Sequence, residues 1–406
     1  LGLDVDNNST VTSLTVAHTT PVSIASGKTL SGAITVSAGS IKLDETGTLA
    51  STIAMGGGTL DADNSSTVSG TLTQGGSITI DVADGKTLTY SGAAVDLGAN
   101  TLTLSGDGTL SNTNAFVLNN ASSKLLLNSI TVGSVSTSLA SLGLDVDNNS
   151  TVSSLTVGHT TPVSIASGKT LSGAITVTAG SIKLDEAGTL ASTVSMSRGT
   201  ILDADESLTL SGALSQSGSF NTNQGWTIDV AVGKTLTYTG AAIGIEGHKL
   251  ILTSSSSNGG ATFNNTNPLL LNNANSYLRF DAEVTVGSVS VNVAGNSGRG
   301  LKIKQSSTIG SLTVTANTEL SIYSGKSLSG AITVSAGSLK LNEAGTLAST
   351  IAMSGGTLDA DETSTVSGAL TQAGNITIDV ADGKILTYSG AALSVGANML
   401  TLSGGG

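Results

Sequence analysis

The chain has 406 residues, of which 28 are acidic and 16 basic, giving a formal net charge of −12. Four Phe, five Tyr and one Trp are too few for one large interior, where aromatic rings supply much of the bulk. The acidic balance, with no basic cluster read along the chain, argues against sequence-independent binding to nucleic acid or anionic lipid. The lack of Cys excludes disulfides and Cys-ligated metal, and no run of about 18 apolar residues offers a membrane-spanning helix.

Taken from the N-terminus, the sequence repeats itself on two scales. Residues 1–11, LGLDVDNNSTV, return unchanged at 142–152, and a diverged third copy starts near Arg299. The string GKTLSGAITV at 27–36 recurs at 168–177 and, as GKSLSGAITV, at 325–334. The chain therefore reads as one continuous array of long repeats, 1–141, 142–298 and a partial 299–406. It opens at Leu1 and stops at Gly406 in mid-pattern, which reads as a slice of a longer protein.

Within the first long repeat a Thr followed by an apolar residue marks a shorter period, at Thr10, Thr29, Thr48, Thr67, Thr87 and Thr109, with Ser129 taking the seventh place. Between markers lie short alternating segments such as Val22-Ser23-Ile24 and Ile34-Thr35-Val36, bounded by Gly, Ser, Asn or Asp. Period-2 alternation sends apolar residues one way and hydroxyls the other, and no stretch has the 3.6-residue period of a helix. The expected fold is all-β, a β-solenoid of about 20 coils of roughly 19–22 residues. A right-handed parallel β-helix is expected, because the strict six-residue period of left-handed solenoids is missing. At the strand spacing of roughly 4.8 Å, such a stack is a rod about 95 Å long. The second long repeat is longer, with extra residues at 220–225 and near 254–260, which read as side loops.

The recurring apolar-x-apolar pairs followed by Gly-Lys-Thr-Leu or Gly-Thr-Leu, as from Val22-Ser23-Ile24 to Leu30 and from Ile41-Lys42-Leu43 to Leu49, resemble the β-helical passenger domains of autotransporters and filamentous-haemagglutinin-like adhesins. The likeness extends over essentially the whole chain as a texture. It implies a secreted stalk, adhesin or matrix component at a microbial surface, and no binding residue is carried over from it.

Gly-Lys-Thr at 27–29, 85–87, 168–170 and 233–235 imitates the end of a phosphate-binding loop, but the motif's first Gly is replaced by Val22, Ile80, Val163 and Ile228. These sites read as turns. Asp-x-Asp recurs as Asp4/Asp6, Asp61/Asp63, Asp145/Asp147, Asp203/Asp205 and Asp359/Asp361, and these carboxylates are the candidates for Ca²⁺, a cation that takes six to eight oxygens. The third-copy equivalents of Asp4 and Asp6 are Lys302 and Lys304, which repel a cation, so no cofactor is expected and solvated turn carboxylates are the default reading. Phe220 and Trp226, beside the inserted loop, are the candidate recognition aromatics, with core filling as the alternative for Trp226. His18 and His159 are equivalent and become Ala316 in the third copy. No carboxylate pair sits in an aromatic-lined groove as sugar cleavage needs, so no enzyme is expected. Ice binding needs Thr-x-Thr in one column, and Thr71/Thr73 and Thr101/Thr103 do not recur at one coil position along the sequence.

The expectation is an extracellular, cell-surface structural repeat protein forming a rod, filament or matrix, or alternatively the stalk of a large adhesin whose tip lies outside this segment. Its expected partners are copies of itself, end to end or side by side, together with glycans or other surface proteins; nucleic acid and membrane insertion are not expected.

Overall fold

The computed structural model describes residues 2–217, 225–255 and 259–406. Among them every regular element is a β-strand and every pairing is parallel, so the chain is an all-β solenoid of about 20 coils. No helix is long and apolar enough to cross a membrane. Two compact units are distinguished, Leu1–Ser195 and Met196–Gly406, each built of strands that stack in parallel from coil to coil along two sheets.

In the first unit, one interior column runs from coil to coil through Ile41, Leu60, Ile80, Leu104, Leu127, Val146 and Ile165. None of these side chains is more than 3% exposed. Most are flanked along their strands by polar residues, as the alternation requires, although Leu126 precedes Leu127 and Ala166 follows Ile165. Burying one such side chain contributes roughly 1.5–3 kcal/mol, so a coil with several inward positions holds itself to its neighbours without needing aromatics. The second unit has the corresponding column Leu202, Ile228, Leu252, Phe280, Ile303 and Ile322, also buried.

The register differs from the spacing of the Thr markers in a regular way. Thr10 stacks on Ser31 instead of Thr29, Thr67 on Thr89 instead of Thr87, and Thr131, not Ser129, stacks on Thr109. All three slips are of two residues. A two-residue slip keeps every side chain on its own face, so the hydrophobic pattern tolerates it, whereas a one-residue slip inverts the strand.

Two local devices recur. The first is the glycine in Ser-Gly-Ala, at Gly32, Gly173 and Gly330. Each has φ near +120° and sits where the register with the preceding coil shifts. A Cβ built there would meet the carbonyl oxygen of Val11, Val152 or Ile309 at 1.8, 1.8 and 1.7 Å. The second is a tyrosine clamp. Tyr90 donates its hydroxyl to the carbonyl of Ala93 at 2.7 Å and accepts the amide of Leu72 at 3.2 Å. Tyr238 repeats this with Ala241 at 2.6 Å and Leu214 at 3.1 Å.

The Gly-Lys-Thr segments are turns, as read. Gly27, Gly85, Gly168 and Gly233 have φ of +67° to +73°, and each following Lys amide closes back onto an alanine carbonyl, as Lys28 does to Ala25 at 2.9 Å. Turn asparagines satisfy backbone amides of the preceding coil: Asn119 Oδ1 accepts the Gly98 amide and Asn272 Oδ1 the Glu246 amide. Asn112 and Asn265, both buried, satisfy two carbonyls each through Nδ2.

Candidate functional site

Several of the Asp-x-Asp carboxylates lie where strand pairing brings a lysine of the preceding coil against them. Lys42 is in register with Asp61, and its ammonium contacts Asp61 at 3.4 Å and Asp63. Lys340 does the same to Asp359 at 3.8 Å and Asp361 at 2.6 Å, and Lys124 pairs with Asp145. Asp203 and Asp205 are also engaged, Asp4, Asp6 and Asp147 are exposed, and the Asp147 amide donates to the Leu127 carbonyl at 3.0 Å. A lysine ammonium thus bridges the Asp61/Asp63 and Asp359/Asp361 pairs at the place a calcium ion would need. Among the described residues no three His, Cys, Asp or Glu side chains are grouped to hold a metal. Burial raises the Asp61 and Asp359 carboxyls above the usual carboxylate range against the pull of their lysines. Such half-exposed pairs are each worth no more than about 1 kcal/mol.

Trp226 lies in the core. It is 2% exposed, stacks in register on Leu250, and donates its indole N–H to Gln216 Oε1 at 3.3 Å. An indole so placed cannot stack on a sugar without opening the coil, so recognition does not fall to it. Phe220 lies outside the described residues, as does most of the insertion at 220–225; Gly225 opens the strand Gly225–Val230. His18 and His159 are exposed.

The Thr columns exist but are interrupted. Thr15, Thr35, Ala54 and Thr73 stack on one sheet, and Ser40, Thr59, Thr79 and Thr103 on the other, where Leu126 ends the run. Thr103 therefore does have a stacked hydroxyl neighbour, Thr79, whereas Thr73 stacks on Ala54.

No protein-family model, curated protein or solved structure matches this chain.

Residues far apart in the sequence assemble the most distinctive surface of the second unit. Lys249 is in register with Tyr277 and Tyr277 with Gly300, while Arg279 is in register with Lys302 and Lys302 with Ser321. Four successive coils so bring together Lys249, Arg279, Arg299, Lys302 and Lys304 with Tyr277 and Tyr323. The Arg299 guanidinium lies 6.0 Å from the Tyr277 ring centre and the Lys302 ammonium 5.2 Å from that of Tyr323. Asp281 contacts Arg279 and, at 3.1 Å, Lys304. The Lys249 ammonium is held below its ordinary pKa by burial, then by the positive charges of Arg279, Lys304 and Arg299. The five cations are among only 16 in the chain. The sequence reading missed this cluster: of its cations only Arg299, Lys302 and Lys304 lie close together, and the members stand up to 74 residues apart, from Lys249 to Tyr323.

Asp229, in the same unit, is in register with Asp203, and one of its buried oxygens has no hydrogen-bond partner. Burial first, and then the charge of Asp205, raise its pKa. A carboxyl raised in the fold contributes stability below the ordinary carboxylate range and loses it as pH rises through the folded value. Above the ordinary carboxylate range Asp229 is therefore a cost to the fold. Asp229→Asn is expected to raise the melting temperature at neutral pH, by a gain of at most about 1 kcal/mol, with the difference shrinking in acid. A variant that melts at or below the parent temperature at neutral pH contradicts this.

Proposed function

We propose that the chain is a structural repeat protein of a microbial cell surface, secreted and used for length and surface coverage, with no catalytic role. The supporting observation is the coil-on-coil parallel pairing in each unit: the described coils repeat an inward apolar column and a parallel ladder, so each satisfies its backbone mainly through its neighbours. Repeated coils give reach and protease resistance; an active site needs one asymmetric cleft. The Ser- and Thr-rich outer columns support side-by-side association of copies, and the resemblance to autotransporter passengers and filamentous-haemagglutinin-like adhesins supports the cell-surface setting.

Electron microscopy of the purified chain over a range of concentrations, with and without a calcium chelator, tests this reading. Concentration-dependent fibres or lateral arrays support a filament or matrix subunit. Separate rods of about 95 Å, the length from strand spacing, support the second reading, a stalk carrying an adhesive tip beyond this segment. Compact particles without elongation overturn both, and fibres that dissolve in chelator restore calcium at the Asp-x-Asp pairs.

A further inference from the structure

The cation and tyrosine cluster is a departure from the chain's own pattern. At the equivalent positions of the preceding long repeat, Lys249 is Thr101, Tyr277 is Lys124, Arg279 is Leu126, Asp281 is Asn128 and Arg299 is Leu142. Lys302, Lys304 and Tyr323 are Asp145, Asp147 and Ala166. The eight positions move from a net charge of −1 to +4, while the interior column beneath them keeps its apolar character through Leu252, Phe280 and Ile303. The change therefore falls on the outer face and leaves the stacked interior in place.

We propose that this face of the second unit, centred on Arg279 and Lys302, binds an acidic polysaccharide, its cations meeting the carboxylate or sulfate groups of successive sugars. Arg279 and Lys302, in register on adjacent coils, step at the strand spacing of roughly 4.8 Å, a length comparable to one sugar residue in an extended chain, so the face can meet anionic groups on neighbouring sugars. The guanidinium of Arg279 is held by Asp281, and its Nε–H is shielded without an acceptor among the described residues. Planar guanidinium groups engage carboxylate and sulfate through paired N–H donors. The tyrosine rings already carry Arg299 and Lys302 against them, which orients those cations and disfavours base stacking, the usual handle for single-stranded nucleic acid. Glu319 borders the face, but its Oε2 accepts the Gly298 amide at 2.7 Å, which fixes it at the rim. This proposal stands apart from the structural role, since a filament subunit and a stalk can equally carry such a face.

The test uses the whole chain and three probes, polygalacturonate, dextran sulfate and neutral dextran, with a single-stranded oligonucleotide as competitor. Titration at about 0.15 M salt, where screening acts over roughly 8 Å, is compared with the variant Arg279→Leu, Arg299→Leu, Lys302→Asp, Lys304→Asp. Each replacement is the residue the chain already carries at the equivalent coil position, so the fold accommodates it. Binding to one or both acidic polymers that falls at least about tenfold in this variant, is unchanged in Lys28→Ser, and is absent for neutral dextran supports the site. The two acidic probes separate carboxylate from sulfate preference. Equal affinity in the fourfold variant, no preference over neutral dextran, or tighter binding of the oligonucleotide overturns it. Because binding is read on dispersed chains, its failure leaves the filament or stalk reading standing, and the reverse also holds.

Discussion

Gly330→Ala is expected to destabilise the second unit by about 3–5 kcal/mol, the sum of a left-handed backbone forced on an L-residue and an overpacked contact. The clash is with backbone: a Cβ at Gly330 meets the Ile309 carbonyl oxygen at 1.7 Å. Neither atom can rotate away, so the bulge between Ser307–Val314 and Ser327–Val334 must open. Hydrogen exchange checks it, because a repeat array opens locally and one global unfolding energy is ill-defined. Amides of those two strands should exchange more than about a hundredfold faster than in the parent, the factor that roughly 3 kcal/mol implies. Gly325→Ala is the control. Gly325 also has positive φ, +71°, but a Cβ there meets nothing within 4 Å, so only the backbone strain of about 1–2 kcal/mol applies. Equal protection losses in the two variants would show that the close approach of the coils is not what requires Gly330.

Tyr238→Ala is expected to cost about 3–5 kcal/mol, the range for deleting a buried aromatic. The ring is 0% exposed and stacks on Phe263 with centres 6.0 Å apart. Tyr238→Phe separates the two contributions: it keeps the ring and leaves the Ala241 carbonyl and Leu214 amide without their hydroxyl partner, for about 1–3 kcal/mol. Urea unfolding followed by the fluorescence of Trp226, the sole tryptophan, reports on the same coil. Tyr388 makes the same hydroxyl contacts with Ala391 and Leu370 but is 38% exposed, so Tyr388→Phe should cost less than half as much. If Tyr238→Phe melts with the parent, the clamp contributes nothing and the ring alone matters.

The coil length, the strand character and the inward columns were legible because they are written within 20 residues, in the alternation around pairs such as Ile41 and Leu43. The turn role of Gly27 and its equivalents was legible for the same reason. What escaped is whatever depends on register. Thr67 stacks on Thr89, a choice made by packing and turn length that the pattern permits equally in either form. The cation face escaped for the same reason, since Arg279 and Lys302 are 23 residues apart and become neighbours only through pairing. The lysine partners of Asp61/Asp63 and Asp359/Asp361 were likewise one coil away, so these carboxylates read as solvated turn groups or calcium candidates and not as ion pairs. Trp226 was ambiguous because a large aromatic beside an inserted loop satisfies both a core and a surface reading, and only its burial decides.

The ladders join each residue mainly to residues one coil away, as Thr48 joins Lys28 and Thr357 joins Gly337. Separations of about 20 in a chain of 406 correspond to a relative contact order of about 0.05, below that of helical bundles. An all-β protein of this size would ordinarily be slow to form because its partners lie far apart along the chain. Here a strand finds its partner as soon as the next coil is complete, so assembly can begin at any pair of adjacent coils and advance one coil at a time. A chain that emerges gradually from a pore or a ribosome can therefore acquire structure at the rate at which it appears.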